Sequence, residues 1–340
     1  MKETFDIAVV GATGVVGENM LGILAERQFP VGTVYALASE RSVGKTVDFG
    51  GRTLKVQNLA DFDFSRVRIG LFSAGASVSD VHAPRAAAAG CVVIDNTSRF
   101  RYDDDIPLVV PEVNPDSVAG YSGKGIIANP NCSTIQMVVA LKPIYDAVGI
   151  ERINVATYQS VSGAGRGAIE ELARQTARLL NGKPLELAEN QRQIAFNAVP
   201  HIDVFLDNGY TKEEMKMVWE TRKIFGDESI RVNATAVRIP VFYGHSEAVH
   251  IETKRKISAA EVCDILQNAP GIELLAGEDA AGYPTAVGDS SGKDAVFVGR
   301  VRDDISHPRG INLWVVSDNI RKGAALNSVQ IAEILAKSYL

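Results

Sequence analysis

Only three cysteines occur in 340 residues: Cys91, Cys132 and Cys263. A sparse, odd and widely spaced set supports neither a disulfide framework nor a zinc site, and no metal is expected. No uninterrupted apolar run reaches the roughly 20 residues that a membrane-spanning helix needs. The start, Met1-Lys2-Glu3-Thr4-Phe5-Asp6, runs straight toward a strand without a signal-peptide apolar region. The expectation is a cytoplasmic protein, in whose reducing surroundings a free thiol persists. Positive charge is scarce as well. Lys and Arg number 35 against 41 Asp and Glu, a net charge of −6 with no basic run, which argues against nucleic-acid or membrane partners. Internal repeats and low-complexity tracts are missing. What remains is globular composition, 46% hydrophobic and 22% charged, at a length that suits two domains.

Against that background one cysteine stands out. Asn129-Pro130-Asn131-Cys132-Ser133-Thr134 places Cys132 at the mouth of an apolar helix expected over 135–148, after a strand at 125–128. Pro130 ends that strand and Asn131 is a good N-cap. The positive end of a helix and its free N–H groups favour the thiolate, which is the nucleophile. The same donors suit an oxyanion formed when sulfur attacks a carbonyl. A lone cysteine is more often a small buried residue; the residues below tip the balance toward chemistry.

The first half reads as a dinucleotide-binding unit. A buried strand over 5–10 leads into Gly11-Ala12-Thr13-Gly14-Val15-Val16-Gly17 and a helix over 18–27. The spacing is GxxGxxG, and strand, glycine turn and helix bring a backbone close to a pyrophosphate at a helix N-terminus. The next strand, 33–38, ends at Ser39-Glu40-Arg41-Ser42. NAD enzymes carry an acid near there, whereas an arginine between serines suits a 2′-phosphate; Glu40 keeps NAD open. Further strands are expected at 68–72, 91–95 and 108–110, with a helix at 79–89, giving a doubly wound α/β parallel sheet. Ser73 and Arg99 follow two of these strand ends, where ligands collect in open sheets.

The second half changes character. A long strand at 152–161 ends in Ser162-Gly163-Ala164-Gly165 before a helix at 168–180. A helix over 211–225 sets Glu213, Lys216, Glu220 and Lys223 on one face, which alone reads as a solvated stripe. Strands at 230–239 and 246–254 flank Arg238-Ile239-Pro240 and Gly244-His245. An arginine amid apolar residues needs an anion, and a histidine is the obvious acid or base near neutral pH. Strands at 295–301 and 311–317 continue a mixed or antiparallel sheet. Asp318-Asn319 leads into a final helix at 324–338, and the stretch 269–292 reads as an irregular insertion.

Together these motifs, with Gln159 and Glu220-Thr221-Arg222-Lys223, resemble the aspartate-β-semialdehyde dehydrogenase family over essentially the whole chain. The resemblance implies a Rossmann-type domain over 1–130, completed by the helix at 323–340, and an α+β catalytic and dimerisation domain over 131–322. It implies Cys132 as nucleophile and thioester carrier, His245 as general acid/base and Gln159 as orienter. Arg238 would take the substrate α-carboxylate and Glu220 the α-ammonium. Arg99 and Lys223 would hold phosphate, with Asn131 nearby and Lys216 as a further candidate. Gly11, Thr13, Gly14, Val15, Val16, Gly17, Ser39, Arg41, Ser42, Ser73, Ser162, Gly163 and Asn319 would line the cofactor, NADP. The implied reaction is reductive dephosphorylation of aspartyl phosphate to aspartate semialdehyde by a homodimer, feeding lysine, methionine and threonine synthesis.

Three other readings compete. N-acetyl-γ-glutamyl-phosphate reductase performs the same chemistry on an acylated nitrogen that needs no carboxylate partner. Glyceraldehyde-3-phosphate dehydrogenase shares the plan but differs around its cysteine. A non-catalytic dinucleotide-binding paralogue or redox sensor would have little use for Cys132, Gln159, Arg238 and His245 together.

Overall fold

The structure, a computed structural model, describes residues 4–188, 191–275 and 282–340. The chain forms two compact units, Met1–Asn131 with Ala324–Leu340, and Cys132–Gly323.

In the first unit a parallel sheet carries the glycine loop. Its strands are β1 (Phe5–Val10), β2 (Val31–Ala38), β5 (Gln57–Asn58), β6 (Ile69–Phe72), β7 (Val92–Asp95) and β8 (Ile126–Ala128), in the order β5-β2-β1-β6-β7-β8. Every pairing in it is parallel. A short antiparallel pair, β3 (Thr46–Phe49) and β4 (Arg52–Lys55), precedes β5. Buried parallel strands have no polar face, and so β1, β6 and β7 are apolar apart from Asp6 near the start of β1 and Asp95 at the end of β7. Helices α1 (Val15–Glu26) and α2 (Ala76–Ala88) follow β1 and β6. The last helix, Leu326–Ser338, sends Val329, Ala332 and Leu335 into the same core as Ile7, Leu24 and Ile94.

The second unit is built on a mixed sheet. Its order is β10-β9-β11-β14-β13-β12, with β9 (Ile150–Gln159), β10 (Arg231–Arg238), β11 (His245–Thr253), β12 (Ile272–Leu275), β13 (Val296–Asp303) and β14 (Gly310–Ser317). The two outer pairs are parallel and the three inner pairings antiparallel. Helix α3 (Cys132–Val148) packs on this sheet and buries ten residues, among them Ser133, Thr134 and Gln136. Helices α4 (Arg166–Leu180), α5 (Lys212–Phe225) and α6 (Ala259–Gln267) complete the unit. Thr211 and Glu214 form a capping box at the start of α5, and Glu214 Oε1 also accepts from Ala236 N–H at 2.9 Å. That carboxylate ties α5 to the edge strand β10 and so fixes where the helix presents its side chains.

Three sequence expectations are corrected. The strand expected at 108–110 is a single bridge, Leu108 to Ala128. Pro107 and Pro111 flank it, and the Asn114 side chain bonds Val110 N–H and Leu108 C=O in place of a ladder. The helix after Asn131 begins at Cys132 rather than at 135. The stretch 269–292 is not wholly irregular: β12 pairs parallel with β13, while residues 276–281 within that stretch lie outside the described residues.

Candidate active site

Cys132, Gln159, Glu213, Arg238 and His245 all lie inside the second unit. Cys132 is the first residue of α3 and is partly exposed. A Cβ on Gly323 would lie 2.8 Å from the Cys132 Cβ and 3.2 Å from its Cα. Only a residue without a side chain lets the 321–325 turn approach the head of α3 so closely.

His245 begins β11 and is fully buried. Its Nδ1 accepts from the Ser160 backbone N–H at 3.1 Å, with Ser160 Oγ also at 3.1 Å. A backbone N–H can only donate, so Nδ1 carries no proton in the neutral ring and Nε2 carries it. Nε2 has no hydrogen-bond partner among the described residues, and a Cβ on Gly163 would sit 3.4 Å from it. Burial first, and the Arg238 charge second, push the imidazole pKa down to about 3. The free site therefore holds a neutral histidine with one N–H to give. Since protonation is harder in the folded chain than at the ordinary value of 6.5, this group withdraws stability as pH falls from about 6.5 toward about 3.

Arg238 closes β10, and one guanidinium nitrogen donates to Ser160 C=O at 2.6 Å. Burial lowers its pKa, opposed by attraction to Glu213 and Cys132. Gln159, paired with Arg238 in the β9–β10 register, is buried. Its Nε2 lies 2.9 Å from Ser133 Oγ, 3.2 Å from Glu213 Oε1 and 3.4 Å from Thr157 Oγ1. Lys216 Nζ bridges Glu213 and Asp203, each at 2.8 Å. Burial works against the Lys216 charge, but Glu213 and Asp203 outweigh it and raise the pKa.

Sequence reasoning missed two of these groups. Glu213 appeared only as one member of a charged stripe, yet it is 5% exposed and touches Gln159. Glu220, two turns further along α5, is 0% exposed, and Lys223 is half-buried. The Ser160 signal is a backbone N–H, which no side-chain pattern reveals.

Asn319 and Ser162 form a hub. Asn319 Oδ1 accepts from Ser160 Oγ at 3.0 Å and from Gly244 N–H at 2.9 Å, and Asn319 Nδ2 donates to Ser162 Oγ at 3.0 Å. In this state the polar atoms of Asn319 hold the loop that presents His245.

The first unit carries the remaining candidates. Gly11 has φ +86°, and a Cβ there would stand 2.9 Å from the Ser73 carbonyl carbon. Gly14 is the N-cap of α1 without a side-chain cap, so the first N–H groups of that helix lack a capping side chain. This cradle fits a pyrophosphate lying against backbone. Thr13, Val15, Val16 and Gly17 complete it, with a Cβ on Gly17 falling 2.9 Å from the Ala12 Cα. Ser39 and Arg41 are exposed at the end of β2, and Ser42 is half-buried. Arg99 is ion-paired with Asp80 and, at 3.4 Å, with Asp103, so an anion there would displace carboxylates. Buried Asp95 holds the loop before it through Ser79 and Thr97. Asn131 is 6% exposed. Among the described residues no His, Cys, Asp or Glu cluster could hold a metal, and no helix is long and apolar enough to cross a membrane.

Comparison with known proteins agrees with this plan. Residues 6–121 match the family model for the semialdehyde dehydrogenase NAD binding domain, and residues 141–322 that for the semialdehyde dehydrogenase dimerisation domain. The chain is 65% identical over 339 residues to aspartate-semialdehyde dehydrogenase 2 of Vibrio cholerae, covering all of both chains. A crystal structure of aspartate semialdehyde dehydrogenase II from Vibrio cholerae, complexed with ASA, gives a TM-score of 0.97 over 99% of this chain and 100% of that one. Aspartate semialdehyde dehydrogenase with NADP from Candida albicans gives 0.77 at 25% identity, covering 98% of each chain.

The tautomer assignment is testable by nitrogen NMR of ¹⁵N-histidine-labelled protein. The His245 ring should stay neutral and protonated on Nε2 from about pH 8 to about pH 5, whereas an ordinary histidine titrates near 6.5. A His245 ring that gains its second proton between those limits would contradict the assignment.

Proposed function

The chain belongs to the aspartate-semialdehyde dehydrogenase family, and on that premise we propose that it converts aspartyl phosphate to aspartate semialdehyde through a thioester on Cys132. The observation that carries the reading is the enclosure of Cys132, Arg238, Glu213, Gln159 and His245 in one unit, with a single N–H of His245 left to donate.

The Cys132 sulfur attacks the acyl carbon, the carbon–oxygen bond to phosphorus breaks, and phosphate leaves with the electron pair. N–H groups at the head of α3 hold the oxyanion formed on the way. Arg238, a planar fork, suits the substrate α-carboxylate. The resemblance assigns the α-ammonium to Glu220, and Glu213, which touches Gln159 and attracts Arg238, is a second carboxylate for that role. Asn131, Arg99, Lys216 and Lys223 remain phosphate candidates on the strength of the resemblance. When bound, NADPH supplies the hydride that reduces the thioester carbonyl. His245 Nε2–H stabilises the charged oxygen that results. Collapse then breaks the carbon–sulfur bond, returns the thiolate and frees the aldehyde. Gly11, Gly14 and Gly17 suit the cofactor pyrophosphate. Arg41 between Ser39 and Ser42 favours NADP over NAD, in line with the NADP of the Candida relative. A cytoplasmic homodimer supplying lysine, methionine and threonine synthesis belongs to the same reading, and the match to a dimerisation domain supports the dimer.

In the oxidative direction, aspartate semialdehyde with phosphate should reduce NADP⁺, and N-acetylglutamate semialdehyde should not. Glu220→Gln should lower kcat/KM about 10²-fold through a misplaced carbonyl, and Glu213→Gln should lower it as well. Preference for the acetylated aldehyde, or full activity in both carboxylate variants, would overturn the substrate assignment.

Cofactor choice has its own test. Arg41→Ala should raise KM for NADPH about tenfold or more while leaving KM for NADH nearly unchanged, since only the 2′-phosphate contact is lost. A wild-type enzyme that prefers NADH would hand the ribose to Glu40.

A further inference from the structure

Two residues beyond His245, on the same face of β11, stands Glu247. It is fully buried, and among the described residues neither carboxyl oxygen has a hydrogen-bond partner of ordinary geometry. On α3, Gln136 is also fully buried, and both of its amide atoms are in the same condition. Buried polar groups are normally bonded, so four such atoms in one place call for an explanation. The two side chains act on each other, since the Gln136 amide is the hydrogen-bonding group that influences Glu247. Burial pushes the carboxyl well above its usual range, toward its neutral, proton-bearing form, which can both donate to and accept from an amide.

Their placement gives the pair a task. Gln136 lies four residues after Cys132, about 6 Å along the same helical face. Glu247 lies two residues after His245, about 6.8 Å along the same strand face. Helix α3 packs on β11. The Gln136–Glu247 pair is therefore one step further along both elements that carry the nucleophile and the proton donor. Across the ladder Glu247 faces Thr157, whose hydroxyl lies 3.4 Å from Gln159 Nε2, and Gln159 in turn reaches Ser133 Oγ at 2.9 Å. Leucine would fill the space at Glu247 but would leave the buried Gln136 amide without its acid, and no polar rung would then tie α3 to the sheet at this height.

We propose that Glu247 and Gln136 form a buried acid–amide rung that sets the height of Cys132 on α3 against His245 on β11. Glu247 is a positioning residue that acts through Gln136. The proposal rests on the thioester reading above for its activity readout, but not for its chemical one.

Three variants separate positioning from mere filling: Glu247→Leu, Glu247→Gln, and the exchange Gln136→Glu with Glu247→Gln. Each is assayed for kcat and KM in semialdehyde oxidation and for the rate at which iodoacetamide alkylates Cys132. Glu247→Leu should lose about tenfold or more in kcat with KM little changed, and its alkylation rate should shift as well. Glu247→Gln and the exchange variant should keep kcat within about fivefold of wild type, because each retains a donor–acceptor pair. If Glu247→Leu does not fold, the exchange variant decides alone. A folded Glu247→Leu enzyme with full kcat, a loss confined to KM, or an exchange variant below the fivefold limit would overturn the proposal. Wild type inactive on the semialdehyde would instead overturn the functional reading and leave the alkylation comparison intact.

Discussion

A single backbone N–H, that of Ser160, sets the character of the site. By donating to His245 Nδ1 at 3.1 Å it forces the ring proton onto Nε2. Burial and the Arg238 charge then keep the ring neutral. A charged imidazolium would be a stronger acid but would compete with Arg238 for the same anionic groups. A neutral ring with one aimed N–H avoids that competition and still answers negative charge as it forms on oxygen. Ser160 serves twice, because its carbonyl also accepts from Arg238 at 2.6 Å. The proton donor and the fixed cation thus hang on one residue of the β9 exit, and Asn319 holds that residue through its hydroxyl.

Close packing at the head of α3 is the second constraint. Gly323 leaves no room for a side chain beside Cys132, so the cysteine is held where the helix begins. There its sulfur lies at the positive end of the helix dipole and feels Arg238. Glu213 faces the same cation and is balanced by Lys216. Fixed charges of both signs on largely buried side chains match a small zwitterion better than a simple aldehyde. Discrimination by such groups is strong because the wrong ligand leaves them unpaired.

The sheet of the first unit was legible in the sequence because buried parallel strands cannot hide their apolar runs, as in Phe5–Val10 and Ile69–Phe72. Short strands with polar faces, such as Arg52–Lys55 and Gln57–Asn58, carried no such signal and went unseen. The triplet 108–110 looked like a strand but lies between prolines, where a side chain, Asn114, does the work of a ladder. In the site, Cys132 and His245 drew notice through their own chemistry. Glu213 did not, because Glu213, Lys216, Glu220 and Lys223 repeat at helical spacing and only the docking of α5 on β10 through Glu214 brings Glu213 to Gln159. Ser160 contributes through its backbone, to which sequence is blind.

The central claim is that Cys132 carries the substrate as a covalent acyl group. Its most direct measurement is intact-protein mass spectrometry after acid quench of enzyme mixed with aspartyl phosphate in the absence of NADPH. The expected species is heavier by one aspartyl group, maps to the Cys132 peptide, is discharged by adding NADPH and is missing in Cys132→Ala. No adduct in a wild-type enzyme that turns over, or an active Cys132→Ala enzyme, would contradict it.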